Sequence, residues 1–200
     1  MEDLRALLAA AEIERPVVLL GGSYGGLIAL MYASSYPEQV AGMVLLDAVL
    51  PDHPTDANWM ATTEQLDQVT TSHQAMALTG SEPMIPVTYI ASEDVEVGPG
   101  IYGREAIQRA IDALRKRQQA LVDRFAPGKL IILDVPHFME PVIPDRIAEE
   151  VLEVIEQSNP GVTRRWSAST RGLGHHARRP RLGGHRVAPR DGSVTQARSR

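Results

Sequence analysis

The chain has 200 residues, 44% of them apolar and 22% charged, which is enough for one real core and excludes fibrous, collagen-like and wholly disordered classes. Cysteine is absent, so a disulfide framework, a thiolate metal site and a cysteine nucleophile are all excluded. No apolar stretch approaches membrane-spanning length and no secretory pattern opens the chain, so a soluble, cytoplasmic protein without membrane contact is expected.

The net charge of -5 is an average over two unlike segments. Residues 159–200 hold ten arginines against one acid, Asp191, while residues 1–158 hold ten basic and 24 acidic residues, a formal charge of -14. The tail shows no helical or alternating apolar period and is expected to be a disordered, solvated extension of a folded domain over 1–158. Counterion release would let such a tail meet nucleic acid or another acidic partner, including the acidic body. Nucleic acid is disfavoured, because the tail offers a single aromatic, Trp166, and no folded reader.

The body alternates helical and strand patterns, which predicts an α/β fold with a mostly parallel sheet. Leu4, Leu7, Leu8 and Ala11 repeat at helical spacing before Arg15-Pro16 stops the helix, and Val17–Leu20 then reads as a buried strand. Leu27–Ser35 is apolar nearly all round, as for a helix packed deep on a sheet. Val40–Leu46 is the next strand. From about 51 to 84 the pattern loosens into Pro, Asp, Thr and Gln with scattered Trp59, Met60, Leu66, Met76 and Leu78, a candidate cap. Strand character returns over Ile85–Ala91, then a Gly98-Pro99-Gly100 turn leads into a long helix from about Arg104 to Ala126 with Ile107, Ala110, Ile111 and Leu114 on one face. Leu130–Val135 reads as a fourth strand, and Ile147, Val151, Val154 and Ile155 mark a final amphipathic helix. No internal repeat is present.

The segment Gly21-Gly22-Ser23-Tyr24-Gly25-Gly26, between a strand and a helix, matches Gly-x-Ser-x-Gly, the nucleophile elbow. A serine on so sharp a turn has strained dihedrals, and Gly21 and Gly25 let the backbones approach. The turn lifts the Ser23 hydroxyl above the strand ends and offers the Tyr24 backbone N–H to a developing oxyanion. A phosphate loop would need Gly-Lys-Ser/Thr and a dinucleotide fingerprint Gly-x-Gly-x-x-Gly, and neither is present. The bland alternative is a tight turn whose serine merely caps the helix.

A serine nucleophile needs a base, and the body offers His53, His73 and His137. The first two fall in the irregular cap segment. His137, in Pro136-His137-Phe138-Met139-Glu140-Pro141, follows a strand and so sits where catalytic loops of parallel sheets gather. For the orienting carboxylate, Asp94 just past the third strand is best placed. Glu93 and Glu96 are near enough to replace it. Asp47, at the end of the second strand, is a further rival, expected instead to hydrogen-bond the loop where the chain turns into the cap.

Gly-Gly-Ser-Tyr-Gly-Gly-Leu-Ile-Ala-Leu, Tyr-Pro-Glu-Gln-Val-Ala-Gly-Met-Val-Leu-Leu-Asp-Ala and Pro-His-Phe-Met-Glu-Pro, in this order over about residues 1–157, resemble segments of the α/β-hydrolase superfamily. The resemblance implies that Ser23 is nucleophile, Asp94 the orienting acid and His137 the base, acting on an ester or related acyl bond of a small substrate through an acyl-enzyme, without metal or organic cofactor. It covers only the C-terminal part of that fold, from the nucleophile strand through a short helical cap. The family's second oxyanion donor comes from a loop before that strand, and no candidate for it is found here. The expectation is therefore a fragment truncated at its start, with Val17–Leu20 exposed as a sheet edge open to self-association. A catalytically impaired or non-enzymatic remnant whose basic tail binds an acidic partner is the alternative. Perhydrolysis and acyl transfer would use the same residues. Trp59, Met60, Met76 and Leu78 suggest an apolar cap wall, or simply residues that glue the cap to the sheet.

Overall fold

The computed structural model describes residues 1–52, 68–78, 80, 82–95 and 103–159. The Arg-rich tail, the Gly98-Pro99-Gly100 turn, Glu96, His53 and the cap residues Trp59, Met60 and Leu66 lie outside the described residues.

Four short apolar runs become four strands: β1 (Val17–Gly22), β2 (Val40–Leu46), β3 (Val87–Ser92) and β4 (Gly128–Leu133). They pair in the order β1-β2-β3-β4, every neighbour parallel. Parallel strands need crossovers, and α2 (Tyr24–Ser35), α3 (Gln68–Ala77) and α4 (Arg104–Val122) lie in them, while α1 (Glu2–Ala10) precedes β1 and α5 (Pro144–Ser158) follows β4.

Burial on both faces explains why β2 and β3 read as unbroken apolar runs. On one face Met43, Leu45, Val87, Tyr89 and Ala91 meet Leu8, Leu30, Tyr32, Leu121 and Val122 from α1, α2 and α4. On the other, Val44, Leu46 and Ile90 meet Ile147 and Val154 of α5. Helix α2 lies deep, with Leu27 and Tyr32 fully buried, which accounts for its lack of a polar stripe. Leu7, expected on the buried face of α1, is instead exposed, and Leu8 carries the contact.

β1 lies at one edge of the sheet, and Leu20 is 53% exposed there. Within the cap segment, α3 packs on α2 through Ala75 against Leu27 and Met31, with Leu78 alongside. Leu78 thus glues α3 to the body, while Met76 remains half exposed. Among the described residues no helix is long and apolar enough to cross a membrane.

Candidate active site

All four strands run the same way, so their carboxyl ends share one rim, and the chemistry-bearing residues converge on it. Ser23 occupies the junction between β1 and α2 with φ 49° and ψ -120°, a left-handed conformation that a non-glycine residue adopts only when its surroundings impose it. Three backbone bonds impose it. Ser23 N–H donates to Leu46 O at 2.9 Å, and Ser23 O accepts from Gly26 N–H at 3.1 Å and Val49 N–H at 2.9 Å.

The glycines around Ser23 do different work. A Cβ on Gly21 would stand 2.6 Å from the Gly25 carbonyl oxygen, and one on Gly26 would collide with the Ala48 side chain. A Cβ on Gly25 would meet nothing within 4 Å. The Gly21 and Gly25 backbones do approach closely as expected, but the positions that leave no room for a Cβ are Gly21 and Gly26.

His137 stands in the connection from β4 to α5, which the fully buried Met139 anchors into the α5 side of the core. Its Nε2 lies 3.0 Å from Ser23 Oγ. Its Nδ1 lies 2.6 Å from Asp47 Oδ2. A carboxylate has no proton to give, so Nδ1 donates to Asp47 and leaves Nε2 free to accept from the serine hydroxyl. The edge of Phe138, 72% exposed, flanks the imidazole with ring centroids 5.0 Å apart.

The acid position is a correction to the sequence reading. Asp94 is exposed just past the end of β3, and its backbone carbonyl lies 3.1 Å from Ser92 Oγ. Asp47 holds the imidazole instead. Sheet order explains the difference, because Asp47 ends the strand directly paired with the serine strand, with Gly22 opposite Leu46. Asp47, like Ser23, is a non-glycine residue at positive φ, 41°, with its N–H tied to Ile90 O at 2.7 Å and its Oδ1 accepting from Ser92 N–H at 3.3 Å. The sequence signal was its place immediately after the Val40–Leu46 run. Glu93 is exposed beside Asp94.

Tyr24 opens α2, where an N-terminal N–H has no acceptor within its own helix. Its phenol pairs with Thr71 Oγ1 at 2.8 Å and so ties α3 to the elbow. Of the other histidines, His73 is exposed on α3. A cavity of about 320 Å³ between α3 and α4 has Leu50, Met76, Arg117 and Arg124 in its wall, and neither Ser23 nor His137 lines it. Among the described residues no group of three His, Asp or Glu side chains is placed to hold a metal ion.

Residues 1–72 match the family model described as the alpha/beta hydrolase fold. No curated protein matches the chain. Among solved structures, a Pseudomonas aeruginosa PAO1 protein described as a probable hydrolytic enzyme is 16% identical, with 76% of this chain and 67% of that chain covered at a TM-score of 0.50. Est816, described as an N-acyl homoserine lactone degrading enzyme, is also 16% identical, with 76% and 72% covered at a TM-score of 0.49. The parallel sheet order, the family match over residues 1–72 and the likeness to the Pseudomonas aeruginosa structure agree, and the chain carries an α/β-hydrolase-like fold.

Proposed function

We propose that the chain is a serine hydrolase acting on an ester or related acyl bond of a small substrate, with Ser23 as nucleophile, His137 as base and Asp47 as orienting acid. The observation that carries this reading is the continuous line from Ser23 Oγ through His137, at 3.0 Å on Nε2 and 2.6 Å on Nδ1, to Asp47.

The chemistry follows from that line. Ser23 Oγ attacks the acyl carbon while its proton passes to His137 Nε2, and Asp47 stabilises the imidazolium. The carbonyl oxygen, now an oxyanion, faces the Tyr24 N–H and the positive end of α2. Collapse expels the leaving group, which takes the proton from His137. Water then attacks the acyl-enzyme with His137 again as base, restoring Ser23 and releasing the acid. No metal or organic cofactor enters any step.

Intact mass after incubation with a fluorophosphonate probe tests the reading. One adduct is expected on the wild-type chain and none on Ser23→Ala. A folded wild-type chain that stays unlabelled would remove the serine-hydrolase reading in favour of a non-catalytic protein.

A further inference from the structure

Arg115 lies on α4, an element that contributes nothing to the line from Ser23 to Asp47, yet both arms of its guanidinium point inward. Nη2 donates to the Ser92 carbonyl at 2.5 Å and Nη1 to Gln118 Oε1 at 2.8 Å. Among the described residues no carboxylate pairs with it, so its charge is directed at two neutral acceptors. Gln118 is 1% exposed, an unusual burial for an amide, and its Nε2 reaches the Tyr89 hydroxyl at 3.5 Å. Tyr89 in turn donates to the Ala48 carbonyl at 2.6 Å. Ala48 adjoins Asp47, and Asp47 Oδ1 accepts from Ser92 N–H, which closes a ring: Asp47, Ser92, Arg115, Gln118, Tyr89, Ala48.

Ser92 is the junction of the ring. Besides holding Asp47 through its N–H, it donates its hydroxyl to Val135 O at 2.5 Å, two residues before His137. One buried serine therefore grips both the acid and the loop that carries the base, and Arg115 fixes that serine from behind. Ring members such as Gln118, Ser92 and Tyr89 are almost fully buried, so each broken link leaves a polar group without water to replace the partner.

We propose that Arg115 is a positioning residue for the triad, acting through Ser92 to set the distance between Asp47 and His137. The proposal rests on the serine-hydrolase reading for its effect on rate, but its structural content is separable.

Two readouts test it. The first is the fluorophosphonate labelling rate at Ser23. Arg115→Ala is expected to slow it by about tenfold to a hundredfold, the scale of a displaced catalytic group, while Arg115→Lys, which can still reach Ser92 O, recovers part of the loss. Arg109→Ala, an exposed arginine on the same helix, is expected to label at the wild-type rate. The second is the strongly downfield proton of the His137 Nδ1–H to Asp47 bond in the proton NMR spectrum, identified by its loss in Asp47→Asn. It is expected to shift upfield or broaden away in Arg115→Ala at unchanged far-ultraviolet circular dichroism. If Arg115→Ala does not fold, Tyr89→Phe opens the same ring by removing one oxygen and is expected to shift the proton in the same direction. A wild-type labelling rate and an unshifted proton in these variants overturn the proposal. An unlabelled wild-type chain overturns the serine-hydrolase reading alone, and the proton then decides the positioning role.

Discussion

Ser23 and Asp47 both sit at positive φ on neighbouring strand ends, and each bears a side chain that must leave the sheet at a fixed angle to meet the same imidazole. Local strain of this kind costs of order 1–3 kcal/mol per residue and persists only where surrounding bonds over-determine it, as those from Leu46, Val49 and Ile90 do here. The glycines give a sharp contrast. Gly25→Ala places a methyl in open space within a helix and is expected to raise stability by about 0.5–1 kcal/mol with labelling intact. Gly26→Ala drives its methyl into Ala48 and is expected to cost about 1–3 kcal/mol. Thermal melts of the two variants check the pair, and equal effects would contradict the geometry. For the acid, Asp47→Asn is expected to lower kcat on a small ester by about three to four orders of magnitude by removing the acceptor that fixes the imidazole tautomer, while Asp94→Asn leaves it near wild type. Steady-state kinetics decide between them. That Ser23 and His137 would come together at the strand ends was legible from motif and strand position alone. Which carboxylate meets the imidazole was not, because two strand ends each offer one and only the pairing of β2 beside β1 brings Asp47 to His137.

Helix α5 is held to the sheet by charge as well as by Ile147 and Val154. Lys129 on β4 donates to Glu150 at 2.8 Å and to Glu153 at 2.7 Å, and Arg146 reaches Glu150 from the same helix. Glu150 is 2% exposed, and removing one partner of a buried ion pair is strongly destabilising. The two carboxylates, Glu150 first, raise the Lys129 pKa above the ordinary lysine value of 10.5. A raised pKa means that the folded state binds the proton more tightly, so this stabilisation is complete below 10.5 and is lost as pH climbs through the higher folded value. The melting temperature of wild type is expected to fall more steeply than that of Lys129→Met as pH rises into the alkaline range, and parallel curves would exclude the contribution. Most elements were legible as periods: β2 spans the Val40–Leu46 run read from the sequence, and α2 contains the expected Leu27–Ser35. Helix α3 was not, since its Gln-Val-Thr-Thr-Ser-His sequence carries little apolar stripe, and what seats it is the contact of Ala75 with Leu27 and Met31 and of Thr71 with Tyr24.

At the scale of the whole molecule, the sheet has two edges of different character. β4 carries Lys129 and the ion pairs above, the kind of charge that discourages strand addition. β1 reads Val-Val-Leu-Leu-Gly-Gly, with no charge, no proline and Leu20 more than half exposed. Among the described residues no strand pairs with its free side. Such a strand is a template for another chain, and a second copy can use it reciprocally: two β1 strands related by a two-fold axis run antiparallel and present identical surfaces to each other. The chain is therefore expected to self-associate in a concentration-dependent way. Leu20→Lys places a charge on the exposed position and removes an apolar side chain whose burial is worth about 1.5–3 kcal/mol, so it is expected to weaken the dimer by about tenfold or more. Sedimentation velocity over a concentration series reads both chains. Because Leu20 lies three residues before Ser23, labelling of the two chains must be compared at concentrations where each is monomeric, which separates loss of pairing from damage to the elbow. A wild-type chain that sediments as a monomer across the series would show that this edge does not recruit a second copy.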